Sequence, residues 1–201
     1  MDVTDAVGRR RMVRAFTTAP VDSVVLEGLI DLARRAPSAG NSQGWAFVVL
    51  EGADQTARYW DVALPLERRG SFRWPGLVAA PVLILALVRP DAWVERYAEP
   101  DKSGTGLGSS GDAWPVPYWW VDGGMAVEHV LLGAVDAGLG ACFFGLFDHE
   151  VPVLAALGVP EGWRALGTIA LGHAAPDAPG RSAIRPRHDL AAVLHRGRWS
   201  P

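Results

Sequence analysis

Four short segments of this chain gather side chains able to do chemistry. The first sets Arg9, Arg10, Arg11 and Arg14 around Met12 and Val13. A guanidinium fork can meet two phosphate oxygens at once and keeps its charge at any working pH, so a phosphate-bearing ligand is the sharp reading. A solvated basic face would look the same. Every basic residue except Lys102 is arginine, which lowers the weight of any one of them. The second segment, residues 36–45, carries Pro37, Ser38, Ala39, Gly40, Asn41, Ser42, Gln43 and Gly44 ahead of Trp45. Its small residues let a backbone approach a flat ligand, while Ser38, Asn41 and Gln43 offer hydroxyl and amide groups to a heterocycle edge or a sugar. A plain turn from helix to strand uses the same residue types.

The third segment, residues 138–148, is apolar and punctuated by Gly138, Gly140 and Gly145 around Phe143, Phe144 and Leu146. Such a run can lay peptide N–H groups and aromatic faces against a ligand, or it can be a buried strand in close contact with a helix. In the fourth, Arg185 and Arg187 stand at alternate positions, which in an extended chain point to one side and suit a shared anion. A surface tail that includes Arg196, Gly197, Arg198 and Trp199 is the plainer alternative.

The elements that would position these segments can be read from periodicity. Val25, Leu26, Leu29, Ile30, Leu32 and Ala33 recur at helical spacing behind the cap candidates Asp22 and Ser23, predicting a helix over residues 22–35. Residues 45–50 and 82–88 are short apolar runs flanked by breakers and read as strands in the interior of a sheet. A strongly hydrophobic helix is expected over 123–137, closed by Gly138. Asp148 can cap a further short helix ending near Gly158, and residues 165–171 read as another buried strand. Between Arg89 and Tyr118 the periodicity fails, yet Trp93, Tyr97 and Trp114 are scattered through it, and disordered linkers are poor in aromatics.

Bulk properties narrow the class. A length of 201 residues fits one domain, spanning 1–201. With 19 basic against 22 acidic residues and no long like-charge run, nucleic acid is not an expected partner. Residues 77–88, the longest apolar stretch, fall short of the roughly 20 residues that cross a bilayer, so no membrane helix is expected. The N-terminus lacks the pattern of a secretory signal, and the single cysteine, Cys142, cannot form an internal disulfide; both point to the cytoplasm. His129, His149, His173, His188 and His195 show no metal-ligand spacing, and no metal is assigned. The glycines of 104–108 lack the lysine and the flanking strand and helix of a phosphate-binding loop.

Taken together, the order and spacing of the four segments resemble the FMN-binding nitroreductase family over nearly the whole chain. That family opens with an Arg-Arg-Ser-x-Arg-x-Phe-like motif, continues with Pro-Ser-x-x-Asn-x-Gln-Pro-Trp, has a Gly-Leu-Gly-like helix end before an apolar strand, and closes with a basic Lys/Arg-x-Arg motif. The resemblance implies an α+β fold, a three-layer α-β-α sandwich with a central mixed, mainly antiparallel sheet, assembled as a domain-swapped homodimer. It implies FMN held at its phosphate by Arg10, Arg11 and Arg187, with Met12 in the same motif and Arg185 beside it. Arg14 then belongs near the pyrimidine edge, where positive charge favours the anionic reduced ring. Pro37, Ser38, Ala39, Asn41 and Gln43 match a flavin-contacting loop given partly to the opposite subunit. Phe143, Phe144, Gly145 and Leu146 fall where the family lays a residue under the ring and aims a backbone N–H at N5.

Two positions depart from the pattern. Met12 stands where the family usually has a serine that contacts phosphate, and Gly44 replaces the usual proline before Trp45. The implied activity is ping-pong transfer of reducing equivalents from NAD(P)H to a small planar acceptor such as a nitroaromatic or quinone. Residues 89–120 are expected to form an active-site lid or insert whose Trp114, Tyr118, Trp119 and Trp120 contact that acceptor. A non-enzymatic flavin or deazaflavin binder, or a flavin-fragmenting, dehalogenating or azoline-oxidising branch, is the alternative.

Overall fold

The computed structural model describes residues 1–177 and 184–199. In chain order the elements are α1 (Val3–Arg9), α2 (Ser23–Ala33), β1 (Trp45–Glu51), α3 (Gly52–Ala63), α4 (Leu66–Arg69), α5 (Pro75–Val78), β2 (Val82–Val88) and α6 (Asp91–Ala98). They continue with α7 (Tyr118–Asp136), β3 (Gly140–Phe144), α8 (Glu150–Ala156), β4 (Arg164–Gly172) and α9 (Leu190–Val193). Carboxylates start the first two helices: Asp2 accepts the Asp5 N–H at 2.8 Å and Asp22 the Val24 N–H at 2.7 Å, each satisfying one orphan donor of a first turn.

The sheet runs β1-β2-β4-β3 with every pairing antiparallel. Strand β2 shows why the fold has three layers. All seven of its residues are buried, and they alternate between two cores: Val82, Ile84 and Ala86 face α2 and α7, while Leu83, Leu85 and Leu87 face the side of α3 and α8. Each of the valine, leucine and isoleucine side chains contributes about 1.5–3 kcal/mol when taken fully out of water. On the second face, Tyr59 of α3 is 1 % exposed and its hydroxyl accepts a 3.1 Å hydrogen bond from Thr168 of β4. Burial pushes the Tyr59 phenol up to about 12.

The α+β sandwich expected from the sequence is therefore what forms, with three differences. Strand β1 lies at an edge of the sheet among the described residues, not in its interior. Helix α7 begins at Tyr118, five residues before the expected start, because Trp119 and Asp122 turn inward on its first turns. The stretch expected to be aperiodic contains α6, and Trp93, Trp114 and Trp119 pack with Val88 into a third small core.

Candidate functional site

The arginine segment leaves the end of α1 and is laid directly along β3. Met12 forms an isolated parallel bridge with Ala141, and the Val13 N–H donates to the Ala141 carbonyl at 2.9 Å. The Met12 sulfur accepts the Phe143 N–H at 3.4 Å, so this side chain packs inward and ties the first segment to the third. Gly140 makes the approach possible, since a Cβ there would lie 3.0 Å from the Val13 side chain. Between them opens a hollow of about 630 Å³, whose rim includes Arg9, Arg10 and Arg11 and whose floor includes Gly138, Gly140 and Ala141.

The charge in this hollow is mostly uncompensated. Arg10 pairs with Glu128 of α7 at 3.2 Å, in a contact open enough to solvent to be worth at most about 1 kcal/mol. Arg9 and Arg11 form no ion pair among the described residues. Three guanidiniums beside a glycine-bounded backbone are suited to an anion with a flat body attached. Cys142, one residue further along β3, is buried and its thiol is pushed up by burial, so it remains the neutral thiol and offers no nucleophile.

Arg14 lies just beyond. One of its amino groups donates to the Met12 carbonyl at 3.3 Å, and its guanidinium sits 5.5 Å from the centre of the Trp74 ring, which also receives Arg73 at 5.2 Å. Nothing in the spacing of the sequence pairs Trp74 or Arg73 with Arg14. The contact arises because Gly76 packs on Ala15, with 2.8 Å to where a Cβ would stand.

The second segment is placed elsewhere. No residue of 36–45 lines the hollow among the described residues. The loop is bonded internally: the Ser38 hydroxyl accepts the Gln43 N–H at 3.0 Å, and Asn41 and Gln43 hold φ of 57° and 51°. From outside it is held by Asp122, buried on α7, whose Oδ2 accepts the Ala39 N–H and the Trp93 indole N–H, both at 2.8 Å. Asp122 gave no sequence signal, since its partners are 83 and 29 residues away. Gly44 now has a reason: a Cβ there would come within 2.3 Å of the Trp93 ring, leaving no room for a proline.

Of the expected acceptor contacts, Trp114 and Trp119 are buried in the third core and Trp120 is half-buried beneath the Arg164 guanidinium. Tyr118 is exposed. Gly145 follows β3 with the Phe147 ring against it, and Phe147 itself is 88 % exposed at a φ of 49°. Leu146 is buried, and Phe144 stacks on Trp60 at 6.0 Å. Arg185 and Arg187 are exposed on the tail and do not line the hollow within one chain. The tail also exposes Ile184, Leu190, Val193 and Trp199. His129 faces the Leu32 carbonyl at 3.0 Å; among the described residues no group of His, Cys, Asp and Glu comes together that could hold a metal ion. Nor is any helix of these residues long and apolar enough to cross a membrane.

Comparison with known proteins decides the family: the nitroreductase family profile matches residues 7–173. The chain belongs to the nitroreductase family. A Methanothermobacter thermautotrophicus protein provisionally named NADH dehydrogenase/NAD(P)H nitroreductase is 23 % identical over 203 residues, which is 99 % of this chain and 88 % of that one. Among solved structures, a nitroreductase family protein from Clostridium novyi NT superposes with a TM-score of 0.67 at 26 % identity, covering 92 % of this chain and 89 % of its own. A nitroreductase-like protein from Streptococcus mutans reaches a TM-score of 0.74 at 17 % identity over 96 % of each chain, a likeness of fold. The nitroreductase match spans the arginine segment, the 36–45 loop and β3.

Proposed function

We propose that this nitroreductase-family chain is an FMN-dependent oxidoreductase that passes reducing equivalents by a ping-pong scheme from NAD(P)H to a small planar acceptor such as a nitroaromatic or quinone. The observation that carries the reading is the hollow between the arginine segment and β3. Its chemistry fits the cofactor: Arg9, Arg10 and Arg11 would hold the phosphate, and Gly138, where a Cβ would meet nothing within 4 Å, leaves open space beside them. When bound, FMN would supply the hydride chemistry, and the protein contributes position, charge and exclusion of water. Arg14, braced on Trp74, adds fixed positive charge next to the hollow. Met12 gives up a hydroxyl and fastens the arginine segment to β3 instead.

A homodimer belongs to the same proposal. Arg185, Arg187 and the 36–45 loop all lie outside the hollow within one chain, while the tail exposes large apolar residues and β1 presents a free edge among the described residues. A second copy that accepts the tail covers those residues and brings loop and tail arginines from the partner to the hollow. The cytoplasm is the compartment that fits a lone buried thiol.

The test is anaerobic mixing of the FMN-loaded protein with NADH or NADPH. Loss of the flavin's visible absorbance with at least one donor, and its return on adding a nitroaromatic or quinone, is the expected result. A flavin that stays oxidised with both donors overturns the enzymatic reading and leaves a flavin carrier.

A further inference from the structure

We propose that Asp122 and Arg96 are positioning residues for the cofactor loop, a clamp built from α7 and the insert helix α6 that fixes the backbone of Ala39 and Gly40 from behind. This rests on the FMN reading above, because that reading gives Ser38, Asn41 and Gln43 their flavin contacts.

The loop has reason to need a clamp. Asn41 and Gln43 both hold left-handed backbone conformations, as does Gly40 at a φ of 62°. Non-glycine residues persist in such conformations only where their surroundings over-determine them. Five internal hydrogen bonds join residues 38–43, and bonds from outside the loop add to the over-determination. Asp122 supplies one half: it is 2 % exposed, and a single oxygen accepts both the Ala39 N–H and the Trp93 indole N–H, each at 2.8 Å. A carboxylate acceptor makes both bonds stronger than a neutral one would.

Arg96 supplies the other half. Its Nε–H donates to the Gly40 carbonyl at 2.8 Å. The rest of its guanidinium is paired with Asp101 through two bonds, of 2.7 and 2.8 Å, which orient the fork toward the loop. The fit is steric as well. A Cβ on Gly40 would meet the Tyr97 ring at 2.8 Å, and the Arg89 N–H donates to the Gly44 carbonyl at 2.8 Å. The loop is thus seated on α6 along its length, and the insert determines how Asn41 and Gln43 are presented.

Hydrogen–deuterium exchange of residues 38–44 in the cofactor-free protein tests the clamp, together with the FMN dissociation constant. Arg96→Ala is expected to speed exchange of this segment and weaken FMN by about tenfold each, the size of one lost charge-assisted hydrogen bond. Glu95→Gln removes the Arg89–Glu95 pair of the same helix without touching residues 39 or 40, and should leave both readings at the parental value. Asp122→Asn keeps a carbonyl acceptor and should restore the protection and affinity that Asp122→Ala loses. If Asp122→Ala does not fold, Arg96→Ala alone decides. An Arg96→Ala chain with parental exchange and parental FMN affinity overturns the clamp. A parent that binds no FMN overturns the cofactor reading instead, whatever the exchange rates.

Discussion

Replacing Gly44 by alanine adds one methyl group at the place where α6 meets the 36–45 loop. That methyl would stand 2.3 Å from one carbon of the Trp93 ring and 2.6 Å from the Ala92 Cβ, well inside contact distance. Trp93 has no free direction in which to retreat, being 0 % exposed with its indole N–H bound to Asp122 at 2.8 Å. Overpacking of this kind costs about 1–3 kcal/mol. Sacrificing the hydrogen bond to the carboxylate instead would cost about 1.5–3 kcal/mol. Against this, alanine restricts the unfolded chain and returns about 0.4–1 kcal/mol. The net loss of about 0.5–2.5 kcal/mol corresponds to a fall of roughly 1–10 °C in the unfolding midpoint for a domain of this length. Thermal unfolding followed by circular dichroism measures it, with Gly28→Ala as the contrast. Gly28 is exposed within α2 and a Cβ there meets nothing within 4 Å, so alanine should stabilise by about 0.5–1 kcal/mol. A Gly44→Ala protein whose midpoint matched the parent would refute the packing of Trp93 on the loop.

Other consequences follow from particular contacts. Tyr59→Phe strands the fully buried Thr168 hydroxyl and should cost about 1–3 kcal/mol in urea denaturation, most of it recovered by adding Thr168→Val; strictly additive losses would contradict the pairing. Because the folded Tyr59 phenol titrates at about 12 against an ordinary 10.0, its contribution is complete below pH 10 and is lost as pH rises from there towards 12. That contribution is about 2–3 kcal/mol, so the parent should lose stability over this alkaline range more steeply than Tyr59→Phe does. Truncation before Ile184 should convert the proposed dimer to a monomer by light scattering; a truncated chain of dimeric mass would remove the tail from the interface.

Much of the fold was legible because its strongest signals are local. Strand β2 was read to its last residue, since Pro81 stands before it and an unbroken aliphatic run fills it. Helix α2 was legible from its Asp22 cap and the spacing of Leu26, Leu29 and Ala33. Helix α6 was not: only Trp93 is buried on its two turns, and Pro90 at its start caps nothing. The start of α7 was hidden for the same reason, with Pro117 in the cap position. That β1 lies at an edge depends on how many neighbours a strand finds, which its own residues do not encode.

The site divides along the same line. Arg10, Arg11 and Met12 were named from the first motif, and a backbone bridge from Met12 to Ala141 brings that segment to β3; Phe143, Phe144, Gly145 and Leu146, named from the third, do not line the hollow within one chain. Asp122, Trp93 and Arg96 were not named for the loop they hold, because their contacts span 29 to 83 residues of sequence. Trp114 and Trp119, expected at the acceptor, are buried against Trp93 and Val88 within one chain.

The central claim is that the arginine segment grips a flavin phosphate, and the most direct measurement compares FMN with riboflavin, which lacks that group. The parent should bind FMN more tightly than riboflavin. Arg10→Ala and Arg11→Ala should each weaken FMN about tenfold or more while leaving riboflavin affinity unchanged, as expected for a lost charge-assisted contact to phosphate. Equal affinity of the parent for both flavins, or variants that weaken both alike, would contradict the account.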